Sequence, residues 1–259
     1  MRVVSHSCSN TEMICALGAA DWLVGVDDHS DHPPEVVAGL PRIGPDLGVE
    51  VERVAALKPD LVVMSDTVPG HDKLISALRE AGLPVEVLAP RCLDDVADDF
   101  LRLGEWLGLQ DEAERQANWF RAQLDALSVS PPRRPVPILV EWWPKPVIAP
   151  MAESWVNALL LRAGGINPWA SQAGQSQPLE HAAILSAVPE AVVMSWCGVA
   201  VEKYRADVVC RRSGWQRVPA VANGRVFAIS EAWLGRPGPR LIQGLRALRQ
   251  VVRAVRAGS

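Results

Sequence analysis

A chain of 259 residues has room for one large domain or two small ones, each with a core of its own. Its 26 basic and 30 acidic side chains leave a formal charge of −4 without a basic run, which excludes the footprint of a nucleic-acid binder. With 49% hydrophobic and 22% charged residues, and no apolar run near the ~20 residues of a membrane span, the composition excludes a disordered chain and a transmembrane helix.

The chain opens on a strand, Arg2–Ser5, followed by SHSCSNTE and a short apolar helix ending at Gly18. Ser9 and Glu12 have capping-box spacing, which predicts a helix start near Asn10. LVGVDD reads as a second strand leading into the Pro-terminated turn HSDHPPEV. A helix over 51–57, a β-branched strand over 61–64, a helix over 72–81 closed by Gly82 and the strand VEVLAP follow. Strands alternating with helices at this spacing predict a parallel α/β sheet.

From 93 to 127 apolar residues step by three and four, with Gly108 breaking the run into two amphipathic helices. SVSPPRRPVP reads as a boundary, and beyond it the first half is replayed. VPILVEWW parallels RVVSHS, VPEAVVMSW parallels KPDLVVMSD, and ANGRVFAIS parallels AGLPVEVLAP. The expected fold is α/β, with two Rossmann-like lobes of parallel sheet joined by a long α-helix and a ligand cleft between the lobes. The expected domains are residues 1–90, a helical linker 91–129 and residues 130–259.

Ligands of open α/β sheets bind beyond the carboxyl ends of the strands. Those positions here are 7–10, 27–32, 65–68, 141–143, 195–198 and 230–236, which are rich in His, Trp, Cys and carboxylate. Ten tryptophans against three phenylalanines and one tyrosine supply flat apolar faces with one N–H donor each. Trp142 and Trp143 cannot both point into a core from an extended segment, so at least one is expected at the rim. The sequence has no HExxH, GxSxG or GxxxxGK[ST], which leaves metalloprotease, serine-hydrolase and P-loop chemistry without support.

Five cysteines (Cys8, Cys15, Cys92, Cys197, Cys210) without a CxxC pair argue against a disulfide scaffold and a zinc ribbon. Cys8 before a helix N-terminus could act as a nucleophile with His6 or His29, although a packed thiol is the simpler reading. Cys15 is expected in the core. DDHSDHPP spaces His29 and His32 for a metal, or forms a turn-capping rim loop. His71 and His181 have no sequence partner and are expected in solvent.

The segments VVSHSCSNTEMICALGAADWLVGVDDHSDHPPEV and LPRIGPDLGVEVERVAALKPDLVVMS, with AGGIN further on, resemble the substrate-binding proteins of cobalamin and iron-siderophore ABC importers, the cobalamin branch above all. The resemblance spans nearly the whole chain. It implies two α/β lobes bridged by a rigid helix, ligand capture without catalysis, delivery to a membrane permease and an extracytoplasmic location. The leader such proteins carry is missing from MRVVSHSCSN, which leaves a cytoplasmic carrier or sensor as the alternative if Met1 is the natural start. The family's ligand-stacking aromatics are absent at His29, near Pro45–Asp46, near Ser65–Asp66 and around Gln177. Glu231, Trp233 and Arg236 match its acid–Trp–Arg arrangement, and Glu52 matches one of its two permease-docking glutamates. In the second lobe Ala182 takes the docking position, with Glu180 two residues early.

The reading that follows is a non-enzymatic, monomeric corrinoid-binding protein without a cofactor of its own. Its ligand set is Ser9, Asn10, His29, Asp66, Trp142, Trp143, Trp196, Glu231, Trp233 and Arg236, with Glu52 and Glu180 for docking to an ABC permease. The alternative is a metal, haem or ferric-siderophore binder using His6, Cys8, His29, His32 and Cys197.

Overall fold

The computed structural model describes residues 1–258. Strands β1 (Val3–Ser5), β2 (Leu23–Val26), β3 (Leu61–Ser65) and β4 (Val85–Leu88) pair in parallel in the order β2-β1-β3-β4. Every residue of β1 and β3 is buried, as expected of central parallel strands covered on both faces. Helices α1 (Cys8–Ala16), α2 (Pro34–Val37), α3 (Val51–Ala56) and α4 (His71–Glu80) connect them. Two longer helices follow, α5 (Leu93–Leu107) and α6 (Gln110–Leu127), separated where Gly108 takes φ +70°. A Cβ built on Gly104 would meet the Ala113 Cβ at 2.2 Å, so glycine is what lets these two helices approach.

The second half contributes β5 (Val136–Glu141), β6 (Trp143–Pro144), β7 (Val147–Pro150), β8 (Gly165–Ile166), β9 (Ser176–Pro178), β10 (Ala191–Met194) and β11 (Val226–Ala228). Its parallel sheet runs β11-β10-β5-β8. Substituting β5, β8, β10 and β11 for β1 to β4 reproduces the order of the first sheet, so the replay read from the sequence is a repeat of topology. A separate antiparallel sheet, β6-β7-β9, was not expected from the sequence. Helices α7 (Trp155–Ala163), α8 (His181–Ala187), α9 (Ala206–Cys210), α10 (Pro219–Ala222), α11 (Glu231–Leu234) and α12 (Leu241–Ala257) complete the half. The apolar stripe of α12, including Leu245, Leu248, Val252 and Val255, is buried, and α12 packs on α7.

The chain divides into two units. Residues 1–90 and 94–120 form the first, and residues 91–93 with those from 121 onward form the second, so α6 passes from one to the other. The start of α1 corrects the sequence expectation. The helix begins at Cys8, its N-cap is Ser7 at φ +81°, and no side chain caps it. Ser9 is already inside the helix and its hydroxyl pairs with that of Ser7 at 3.1 Å, so the capping box is not formed.

Candidate functional site

In the first sheet the connections leave β1 and β3 in opposite directions, which makes the carboxyl ends of these two strands the topological switch point where open α/β sheets bind ligands. His6 follows β1 directly and its backbone N–H bonds to Val63 of β3 at 2.9 Å. The next residue, Ser7, sits at φ +81°, a strained conformation for a non-glycine, and its hydroxyl reaches Ser65 at 3.2 Å. Asp46 arrives on the turn 44–48. That turn requires glycine at 44, where φ is +111° and an added Cβ would lie 2.5 Å from the Gly48 carbonyl oxygen. His71 is the first residue of α4.

These three residues converge. The His71 Nε2–H donates to Asp46 Oδ1 at 3.1 Å, and the His6 Nε2–H donates to the Asp46 carbonyl oxygen at 2.8 Å, with Oδ1 3.6 Å away. The opposite ring nitrogens fix both tautomers. His6 Nδ1 accepts from the Ser65 N–H at 3.5 Å and His71 Nδ1 from the Thr67 N–H at 3.3 Å, so both protons sit on Nε2. The imidazole sides are 0% and 1% exposed, while the Asp46 carboxylate is 33% exposed. Burial holds His6 below the ordinary imidazole range, with His71 adding to the effect and the Asp46 carbonyl opposing it. Burial pushes the Asp46 carboxyl up, but the His71 hydrogen bond and the neighbouring imidazoles outweigh it and leave the group more acidic than usual.

His71 was expected in solvent from its sequence and is instead buried in this cluster, because Asp46 reaches it from a turn 25 residues away. Asn10 is also corrected. It is buried, and its amide braces β1 to β3 by donating to the carbonyls of His6 at 2.8 Å and Val63 at 3.5 Å, so it does not offer these hydrogens to a ligand. Ser9 is buried, His29 is exposed and Asp66 is half-buried.

The alternative metal set is not assembled. Among the described residues the one cluster of three ligating groups is His6, Asp46 and His71; Cys8, His29, His32 and Cys197 are outside it. Cys8 packs at 8% exposure and its thiol donates to the His29 carbonyl at 2.9 Å. The cluster itself does not fit a metal. Coordination at Nε2 would move each imidazole proton to Nδ1, against the N–H donors of Ser65 and Thr67, whereas metal-bound histidines donate that proton to an acceptor. Cys15 is only partly buried, yet its thiol is pushed up to about 11 by burial, with Glu12 and Glu35 adding repulsion. In iodoacetamide labelling at pH 7.5 Cys15 is expected to react slower than the exposed Cys92 and Cys197; equal rates would contradict its assigned environment.

The second sheet has its switch point at β5 and β10. Ser195 donates its N–H to the Glu141 carbonyl at 2.9 Å and Cys197 its N–H to the Trp142 carbonyl at 3.0 Å, continuing the strands into the site. Glu141 is fully buried and paired with Arg212 through contacts of 2.6 and 2.9 Å. Its carboxylate also accepts the Trp196 indole N–H at 2.9 Å, and Arg212 lies 4.6 Å over the Trp215 ring. Tyr204 donates to the Trp196 carbonyl at 3.0 Å. Trp196 is therefore locked, at 5% exposure, and Trp142 is 9% exposed. Trp143, next in the chain, is 41% exposed, the alternation the extended segment demands. His181 is exposed, with its Nδ1 accepting from the Trp215 indole at 3.1 Å.

Beyond β11, Ser230 caps α11 and presents Trp233 at 37% exposure. Glu231 and Arg236 form a half-buried pair at 3.1 Å. The loop is held from behind by the Trp155 indole, which donates to the Leu234 carbonyl at 2.7 Å, and by Gly244, where a Cβ would lie 2.1 Å from the Trp233 carbonyl oxygen. Gly244→Ala is expected to cost about 1–3 kcal/mol and displace α11; an unchanged urea midpoint would contradict this contact. Glu52 on α3 and Glu180 before α8 are both exposed.

Residues 3–232 match the family model described as Periplasmic binding protein. The chain belongs to this periplasmic binding protein family. No helix of this periplasmic binding protein, among its described residues, is long and apolar enough to cross a membrane. It is 25% identical over 246 residues to the vitamin B12-binding protein of Vibrio parahaemolyticus, a match covering 94% of this chain and 86% of the relative. It is 29% identical over 259 residues to the ABC transporter substrate-binding lipoprotein YvrC of Bacillus subtilis, covering 97% and 79%. Among solved structures it is similar to the periplasmic haem-binding protein RhuT of Roseiflexus, at 26% identity, 98% coverage of both chains and a TM-score of 0.83.

Proposed function

We propose that this protein is a non-enzymatic solute-binding component of an ABC-type importer, working outside the cytoplasm, and that its solute is a corrinoid such as cobalamin. The observation that carries the ligand class is the near end-to-end match to a vitamin B12-binding protein. Two exposed indoles beyond the carboxyl ends of the second sheet's strands, Trp143 on β6 and Trp233 on α11, offer the flat faces a large ring system stacks on. Beside Trp233, the Glu231–Arg236 pair supplies an acceptor and a donor for polar groups on the ring edge. His29 is an exposed imidazole and a candidate for the cobalt face. Glu52 and Glu180, both exposed, are the proposed contacts to the permease.

The variants Trp233→Ala and Arg236→Ala test the site. Each is expected to weaken cyanocobalamin binding by about 1–3 kcal/mol in equilibrium dialysis. Unchanged affinity in both would move the ligand away from α11.

A further inference from the structure

We propose that Asp46, held by His6 and His71, is the residue that makes this protein select a ligand edged with amides over one edged with carboxylates. The inference rests on the solute-binding function proposed above and adds a ligand-contacting residue and a rule of selectivity to it.

The geometry is that of a preorganised acceptor. Two imidazole Nε2–H groups converge on Asp46, one on the carboxylate at 3.1 Å and one on its carbonyl at 2.8 Å. Backbone N–H groups behind the rings prevent the tautomers from turning round. The rings meet edge to face, with centroids 4.9 Å apart, and are buried, so neither is itself in reach of a ligand. The carboxylate they hold is one-third exposed, at the switch point of the first sheet. His6 and His71 are thus positioning residues, and Asp46 is the group that meets the solute.

The surroundings set the sign of the preference. Asp46 is itself an anion, and one permanent cation on its own loop 42–48, Arg42, could offset it. Arg42 is turned away from this role, because its guanidinium donates to the carbonyls of Asp27 and Ser30, both at 2.8 Å. Asp27 is buried and already accepts from Ser30 and from the His29 N–H. The Asp46 carboxylate in this setting accepts hydrogen bonds and repels anions. The peripheral side chains of a corrin are carboxamides, whose N–H groups suit it. The two propionates of haem are ionised at neutral pH and do not.

Equilibrium dialysis of the wild type, Asp46→Asn, His71→Gln and His71→Leu against cyanocobalamin and haemin at pH 7.5 tests the proposal, with circular dichroism confirming each fold. The wild type is expected to prefer cyanocobalamin. Asp46→Asn is expected to lose roughly 10–100-fold in cyanocobalamin affinity, the range for a hydrogen bond to a charged group, and to gain affinity for haemin. Gln keeps an N–H at the Nε2 position, so His71→Gln should retain cyanocobalamin affinity while His71→Leu shows the Asp46→Asn loss. Cyanocobalamin affinity unchanged in Asp46→Asn, or equal losses in both His71 variants, overturns the assignment and leaves the corrinoid reading standing. A wild-type preference for haemin overturns both the rule and the corrinoid class, and binding of neither compound overturns the proposed function itself.

Discussion

Asp99→Asn is expected to stabilise this protein at pH 8 by roughly 2 kcal/mol and to do nothing at pH 4. Asp99 lies in α5 with a side chain only 1% exposed. Its Oδ1 accepts from Arg102 at 3.3 Å, and its Oδ2 has no hydrogen-bond partner. Burial pushes the carboxyl up to about 7, against the pull of Arg102 and with repulsion from Asp95 and Asp98. An acid whose folded value is raised binds a proton in the native state that the unfolded chain has released. Between pH 4 and 7 this group therefore makes stability fall as pH rises, to a total of at most about 4 kcal/mol. Above about 7 both states are ionised and its contribution is flat. The Asn variant removes that slope. Urea denaturation of both proteins from pH 4 to 8 checks it, and parallel pH profiles would show that Asp99 does not carry the raised proton affinity.

The second large effect is expected at Glu141. Removing one partner of a buried ion pair leaves the other charge stranded, at a cost of roughly 3–5 kcal/mol. Glu141→Ala leaves the Arg212 guanidinium, 12% exposed, without its carboxylate and the Trp196 indole N–H without its acceptor. The unfolding midpoint in urea should fall sharply. The double variant Glu141→Ala with Arg212→Met should recover part of the loss, since no uncompensated charge remains. A single variant as stable as the wild type would mean that this pair does not organise the second switch point.

The fold was legible because its central strands announce themselves. LVVMS and AVVM are apolar without alternation, the mark of a strand covered on both faces, and each follows a Lys-Pro-Asp or Val-Pro-Glu stop. Repetition of that unit in the same order foretold the matching strand orders of the two sheets. The period of an extended chain showed that one of Trp142 and Trp143 must leave the core, and the structure puts Trp143 outside.

The first-unit site was not legible, for a reason of distance along the chain. His6, Asp46 and His71 come from the end of β1, a glycine turn and the start of α4, and no local period links them. Asn10 looked like a free donor at a helix start and is a brace, because the helix begins two residues earlier. Asp99 belongs to the polar run LDDVADDF, yet it shares the buried side of α5 with Val96 and Leu103, which a count of charged residues does not reveal.

Isothermal titration of the wild-type protein with cyanocobalamin, with haemin as the comparison, bears most directly on the claim that this periplasmic binding protein carries a corrinoid. Saturable binding of one cyanocobalamin per chain, in the nanomolar to micromolar range and tighter than haemin, is the expected result. Heat changes no larger than those of dilution, or a clear preference for haemin, would contradict it.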